Sequence, residues 1–160
     1  DRIAAVAASV ESPTTVGVLA SSPSWGTYTL GSDAPMSRLL ADVGYDRPAI
    51  EQNPSDFGVL LSTSPEQLIE HDADLLVLLG GDDDWFDIDG LFDLPTSASL
   101  RALSDQRWVE VLGEVWTSSD PFSVVWALSD LEAIQAGEPT GTIEDRVERW
   151  KAYLATLSGD

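Results

Sequence analysis

The chain has 160 residues, with 28 acidic side chains against eight basic ones, a formal net charge of −20, and no cysteine. That length can enclose a full hydrophobic core in one domain. A surface this acidic repels phosphate backbones and anionic headgroups, so nucleic acid is not an expected partner, and the lack of cysteine excludes disulfides, thiol catalysis and thiolate metal sites.

The N-terminal stretch "DRIAAVAASVESP" lacks the basic-then-apolar pattern of a signal peptide. Ile3, Val6 and Val10 stand at helical spacing, so it reads as the last turns of a helix and the chain as an excised fragment. Thr14–Ser22 and Gly26–Ser32 read as strands. A helix follows, with Asp33 as N-cap, Pro35 in the first turn, an apolar face of Met36, Leu39, Leu40 and Val43, and Gly44 as its stop. Ala49–Gly58 is turn-rich, with Phe57 its one large apolar residue. Ser64-Pro65-Glu66-Gln67 has the form of a capping box.

Leu75–Leu79 is a run of aliphatics suited to a parallel strand covered on both faces. Gly80–Pro95 reads as an acidic loop. Ser97–Ser104 is a predicted helix and Trp108–Leu112 a strand. Asp120-Pro121 opens a helix that Gly137 ends. Thr142–Leu157 is a predicted amphipathic helix with Ile143, Val147, Trp150, Leu154 and Leu157 on one face, and Asp145 paired with Arg149 on the other. Alternating helices and apolar strands define an α/β class with a mostly parallel central sheet in a three-layer sandwich. No stretch reaches the ~18–20 apolar residues a membrane span needs. Function in such sheets collects in loops beyond the strand ends, and those loops hold Trp25, Trp85 and Trp116.

Catalytic patterns are sparse. The lone histidine, His71, closes a predicted helix and reads as a cation at a helix C-terminus. Gly81–Gly90 places Asp87 and Asp89 as an EF-hand would, but Trp85 and Thr96 stand where its first and twelfth positions need ligating side chains, so a solvated acidic loop is the preferred reading. No Gly-rich phosphate loop is present, and no carboxylate pair stands out. No resident metal or cofactor is expected, and the chain is not read as an enzyme.

Three segments carry a family resemblance. Gly31–Pro48, "GSDAPMSRLLADVGYDRP", Phe57–Gly81, "FGVLLSTSPEQLIEHDADLLVLLGG", and Leu94–Trp116, "LPTSASLRALSDQRWVEVLGEVW", together resemble the C-terminal lobe of ABC-importer substrate-binding proteins of the ferric-siderophore and vitamin B12 family. The resemblance implies one lobe of a two-lobe periplasmic-binding-protein fold. Residues 1–12 would then end the inter-lobe helix and 13–160 form the C-terminal lobe, with the N-terminal lobe absent.

It further implies a ligand cleft lined by Phe57 and Trp116, with Trp25 and Trp85 in neighbouring loops; core packing is the competing reading for each. Trp108, Trp126 and Trp150 are assigned to the core. The helix dipole alone accounts for Glu66; the resemblance adds docking on the ABC transporter permease. The implied protein is an extracytoplasmic monomer, periplasmic or held as a lipoprotein, that carries Fe3+ inside the siderophore. The chain departs from the family pattern at Pro95-Thr96-Ser97, which lacks a tryptophan, at Phe57, where tryptophan is common, and in the acidity of Asp82–Asp93. Arginine is scarce in the ligand loops, with Arg38 and Arg47 on and after the first helix, which favours a hydroxamate complex of low charge over an anionic catecholate. Alternatives are a cobalamin or haem receptor of the same fold, a divalent-metal hydrolase using Asp87 and Asp89, and a purely structural acidic domain.

Overall fold

A computed structural model describes residues 2–10, 14–81 and 84–158. Asp1, Glu11–Pro13, Asp82–Asp83 and Gly159–Asp160 lie outside the described residues, and with them parts of the predicted inter-lobe helix and acidic loop. The strands are β1 (Val16–Ser22), β2 (Gly26–Leu30), β3 (Leu60–Thr63), β4 (Leu75–Gly80) and β5 (Trp108–Leu112). The α-helices are α1 (Arg2–Ala7), α2 (Pro35–Asp42), α3 (Ile88–Phe92), α4 (Arg101–Ser104), α5 (Gly113–Trp116), α6 (Pro121–Ala136) and α7 (Arg146–Ser158).

The five strands form one sheet in the order β3-β2-β1-β4-β5. β1 pairs parallel with β4, and β4 with β5. β2 runs antiparallel to both β1 and β3. The sheet is therefore mixed, where the sequence predicts a mostly parallel one. The cause is local: only Pro23–Trp25 separates β1 from β2, too short for the crossover a parallel pair requires.

Alternation along the strands builds two cores. Val16, Val18, Ala20, Val77, Leu79 and Val111 face α2, α5 and α6. Leu19, Leu76 and Leu78 face Leu68, Leu91, Leu100 and Ala102 on the opposite side. Helices on both faces of the sheet give the three-layer sandwich, and β4 is the doubly covered strand its aliphatic run indicated.

Several local expectations change. Asp33 does not cap α2: its Oδ1 accepts from Ser55 N at 2.7 Å and Ser55 Oγ at 2.6 Å, tying the start of α2 to the segment before β3. The acidic loop contains α3, and Asp87 Oδ1 caps it by accepting from Gly90 N at 2.8 Å. Asp120 caps α6 as predicted, and Gly137 ends it with φ 69°, a left-handed turn that glycine enters without steric cost. α7 buries no residue. Trp150 is exposed rather than core, because α7 touches α6 along one edge, through Phe122 edge-on to the Trp150 ring at 4.9 Å. Arg149 leaves Asp145 and lies over the Trp126 ring, 4.7 Å from its centroid.

One buried polar network escapes sequence reading. Glu51 is fully buried, and its carboxylate accepts from Val18 N at 3.1 Å, from His71 Nδ1 at 2.8 Å and from Arg47 Nη2. Arg47 also donates to Leu30 O at 2.9 Å and Thr29 Oγ1 at 3.2 Å. His71 is not a solvated helix-end cation: it is fully buried, with Nε2 2.9 Å from Thr63 Oγ1. Removing one partner of such a pair strands a charge in the core, so Glu51→Ala is expected to cost about 3–5 kcal/mol. Urea unfolding followed by circular dichroism checks this; a loss of about 1 kcal/mol or less, as for an exposed pair, contradicts it.

Candidate functional site

Three of the four aromatic residues predicted to meet a ligand come together on the surface. Trp25 occupies the turn between β1 and β2, Trp85 follows β4, and Phe57 precedes β3. The Trp25 ring lies 5.5 Å from Trp85 and 6.4 Å from Phe57, at interplanar angles of 14° and 11°. The side chains remain 63%, 41% and 71% exposed for Trp25, Trp85 and Phe57 respectively. Trp85 and Phe57 are held through the backbone. Tyr28 Oη donates to the Trp85 carbonyl, and Ser22 Oγ donates to the Asp84 carbonyl at 2.8 Å. Phe57 sits in a tight reversal in which Phe57 and Leu60 exchange backbone hydrogen bonds of 3.1 and 2.8 Å. Gly58 holds φ 60° there, a conformation that disfavours any side chain.

Beside the stack lies a cleft of about 420 Å³ lined by Tyr28, Phe57, Val59, Leu60, Trp85 and Phe86, with Glu114, Thr117 and Ser118 as its polar side chains. Sequence reading missed Tyr28, because a tyrosine in a strand carries no signal until the turn beyond it folds back. It missed Glu114 because acids are everywhere in this chain. A larger groove of about 640 Å³ follows β5, but it contains none of the stacked aromatic residues. The smaller cleft is the better candidate because two of the stacked rings, Phe57 and Trp85, line it.

Trp116 is corrected. It is 1% exposed and belongs to the core. α5 starts directly after β5 and turns the indole inward onto α6, where Nε1 donates to Asp130 Oδ2 at 3.1 Å. Trp116 therefore offers no ring face to a ligand. Glu66 is exposed on the first turn of a short 3₁₀ helix, Pro65–His71, whose capping box forms as expected with Gln67 Oε1 accepting from Ser64 N at 3.3 Å. It stands apart from the aromatic cleft, on the segment that follows β3.

Arg47 is committed to Glu51 in the interior and is no clamp for a ligand. Six further basic residues, Arg2, Arg101, Arg107, Arg146, Arg149 and Lys151, are also ion-paired. Asp87, one of the two metal candidates, spends a carboxylate oxygen on the α3 cap. No group of three or more carboxylates or histidines placed to hold a metal ion occurs among the described residues.

No protein-family model matches the chain, and no curated protein matches it. Solved structures do. FhuD2 of Staphylococcus aureus superimposes with a TM-score of 0.66 at 13% identity, over 87% of this chain and 54% of that protein. FeuA of Bacillus subtilis, a triscatecholate siderophore-binding protein complexed with ferri-bacillibactin, gives 0.67 at 18% over 85% and 50%. An ABC-type Fe3+-hydroxamate transport protein of Saccharomonospora viridis gives 0.63 at 25% over 84% and 44%. The chain therefore has the fold of one lobe of the siderophore-binding proteins of ABC importers. It spans about half the length of the structures it matches.

The buried carboxylate beneath Trp116 has a consequence for stability. Burial pushes Asp130 above the ordinary carboxylate range, opposed by hydrogen bonds from Gly141 N and Trp116 and by Arg149. The folded state thus holds the Asp130 proton to higher pH than the unfolded chain does. Its ionisation costs stability above the raised pKa, and that cost disappears as pH falls through it. Asp120 runs the other way, held low chiefly by the Ser123 hydroxyl. Asp130→Asn removes only the first effect. The stability of the parent protein relative to Asp130→Asn is expected to rise as pH drops from neutrality toward the ordinary carboxylate range, measured by urea unfolding at a series of pH values. A flat difference would contradict it.

Proposed function

We propose that this chain is the ligand-facing lobe of a ferric-siderophore receptor that delivers its cargo to an ABC importer. The observation that supports this most is the exposed stack of Trp25, Trp85 and Phe57 beside an apolar cleft, in a lobe of that fold. Bulky, weakly polar complexes bury area against aromatic faces with few directional bonds. Three exposed rings held in register make such a face, whereas a structural acidic domain has no need of them. In this reading residues 1–12 end an inter-lobe helix, and the ligand lies between this lobe and a second one. The protein acts as a monomer outside the cytoplasmic membrane, free or as a lipoprotein. Iron stays inside the chelator, so the protein itself supplies no ligands to the metal and performs no catalysis.

The neighbours span both siderophore classes: FhuD2 is known with bound ferrioxamine B, and FeuA with a catecholate complex. For this chain a hydroxamate complex is the better fit. An anionic catecholate complex calls for cationic clamps, and no lysine or arginine lines the aromatic cleft among the described residues. Glu66, exposed on the rim of the Pro65–His71 turn, is assigned to docking on an arginine of the permease.

Tryptophan fluorescence of the chain, titrated with ferrioxamine B, a ferric catecholate, cobalamin, haem and calcium, tests the reading. Saturable quenching by a ferric hydroxamate is expected, weakened about tenfold in Trp25→Ala, the loss of one stacking ring. Trp116→Phe should leave the affinity unchanged. Quenching by cobalamin or haem alone would transfer the assignment to those ligands. A response to calcium alone, lost in Asp87→Asn, would favour a metal-dependent enzyme. In cells, Glu66→Arg should abolish uptake while ligand affinity stays at the parent value; unaffected uptake would remove Glu66 from docking.

A further inference from the structure

The charge around the aromatic stack is as one-sided as its apolar surface. Phe57 is preceded by Asp56 and Trp85 by Asp84, both exposed. Glu114 is the one charged side chain lining the adjoining cleft among the described residues. Its Oε1 accepts from Arg146 Nη1 at 2.7 Å, whereas neither Asp56 nor Asp84 is ion-paired among the described residues. Asp56 Oδ2 accepts from Ser62 N at 3.1 Å, which holds that carboxylate against β3. Around this patch the whole chain carries a formal charge of −20.

Aromatic faces present negative quadrupoles, and carboxylates beside them deepen the potential that a cation meets there. The same arrangement repels an anion and gives a neutral body only its apolar contacts. We infer that the Trp25–Phe57–Trp85 surface selects a ferric complex carrying a net positive charge, borne on an ammonium group outside the iron-binding shell. The inference rests on the siderophore reading of this site. It adds the sign of the ligand's charge, to which the apolar contacts are indifferent. The ammonium would lie against an exposed ring face with Asp56, Asp84 or Glu114 in reach. The chelate body would fill the cleft over Tyr28 and Leu60.

The test compares two ligands with one chelate. Ferrioxamine B carries a terminal ammonium at neutral pH; its N-acetyl derivative keeps the same iron shell and is neutral. Both are titrated into the chain by tryptophan fluorescence at low and high salt. The cationic complex is expected to bind about three- to tenfold more tightly at ~0.02 M salt, the scale of one cation–π contact reinforced by weakly screened carboxylates. The ratio should shrink toward one at ~0.5 M salt, where the Debye length is only a few ångströms. The combined substitution Asp56→Asn, Asp84→Asn and Glu114→Gln should bring the low-salt ratio of the two affinities to about one. Equal affinity for the two complexes at low salt overturns the charge inference and leaves the siderophore reading standing. Tighter binding of an anionic catecholate also overturns it. Failure of every ferric complex to bind overturns both.

Discussion

The Glu51 carboxylate is the point through which the antiparallel half of the sheet is fixed. It accepts from the backbone of β1, from Arg47 and from His71. Arg47 carries the connection to β2, and His71 carries it to Thr63 of β3. A guanidinium, an imidazole and a backbone donor surround a group that would otherwise be desolvated at great expense. Their directional hydrogen bonds tie β1, β2, β3 and the Pro65–His71 turn to one another. The β1–β2 turn and the Phe57-Gly58 reversal lead into those same strands, so the aromatic stack inherits its geometry from a carboxylate buried within the fold.

On that frame the aromatic residues behave unlike the rest of the apolar content. Trp116 and Trp126 turn inward and pack on the α6 side of the sheet. Trp25, Phe57 and Trp85 turn outward and cover one another instead of entering a core. Self-stacking removes part of their apolar area from water and holds the rings in a common orientation. A bound partner of low polarity would then meet a surface already ordered, and would lose less entropy in forming the complex. Exposed apolar patches of this kind mark interaction sites more often than accidents of folding.

What the sequence disclosed, and what it hid, follows from the range of the forces involved. Signals that depend on neighbours in the chain were legible: the Asp120 cap and Gly137 stop of α6, the capping box at Ser64, and the aliphatic run of β4. The direction of β2 follows from the shortness of the Pro23–Trp25 turn before it, a signal that alternation of helices and apolar strands masks. The burial of Trp116 has no local signal, because only the position of α6, and of Asp130 upon it, decides which way that indole points. The Arg47–Glu51–His71 network was equally hidden. Arg47 and Glu51 stand at an ordinary i,i+4 spacing that surface pairs share, and nothing local announces that both are enclosed. Trp150 failed in the opposite sense: a helical apolar stripe predicts burial, but in this chain α7 meets α6 along one edge only.

The two borders of the sheet bear on how copies of this chain behave together. At β5 the Thr140 hydroxyl donates to the Glu110 carbonyl, occupying a main-chain acceptor on the border strand. At β3 the chain doubles back, and the amides of Asp56 and Phe57 both reach the Leu60 carbonyl at 2.8 and 3.1 Å. Each border thus has some of its pairing capacity consumed by the molecule's own chain, which blunts its power to template a strand from a neighbour. Like charge on every copy adds a repulsive barrier to the same encounter. An exposed aromatic surface is thus displayed on a sheet whose two borders are each a poorer template for a neighbouring strand than a bare edge.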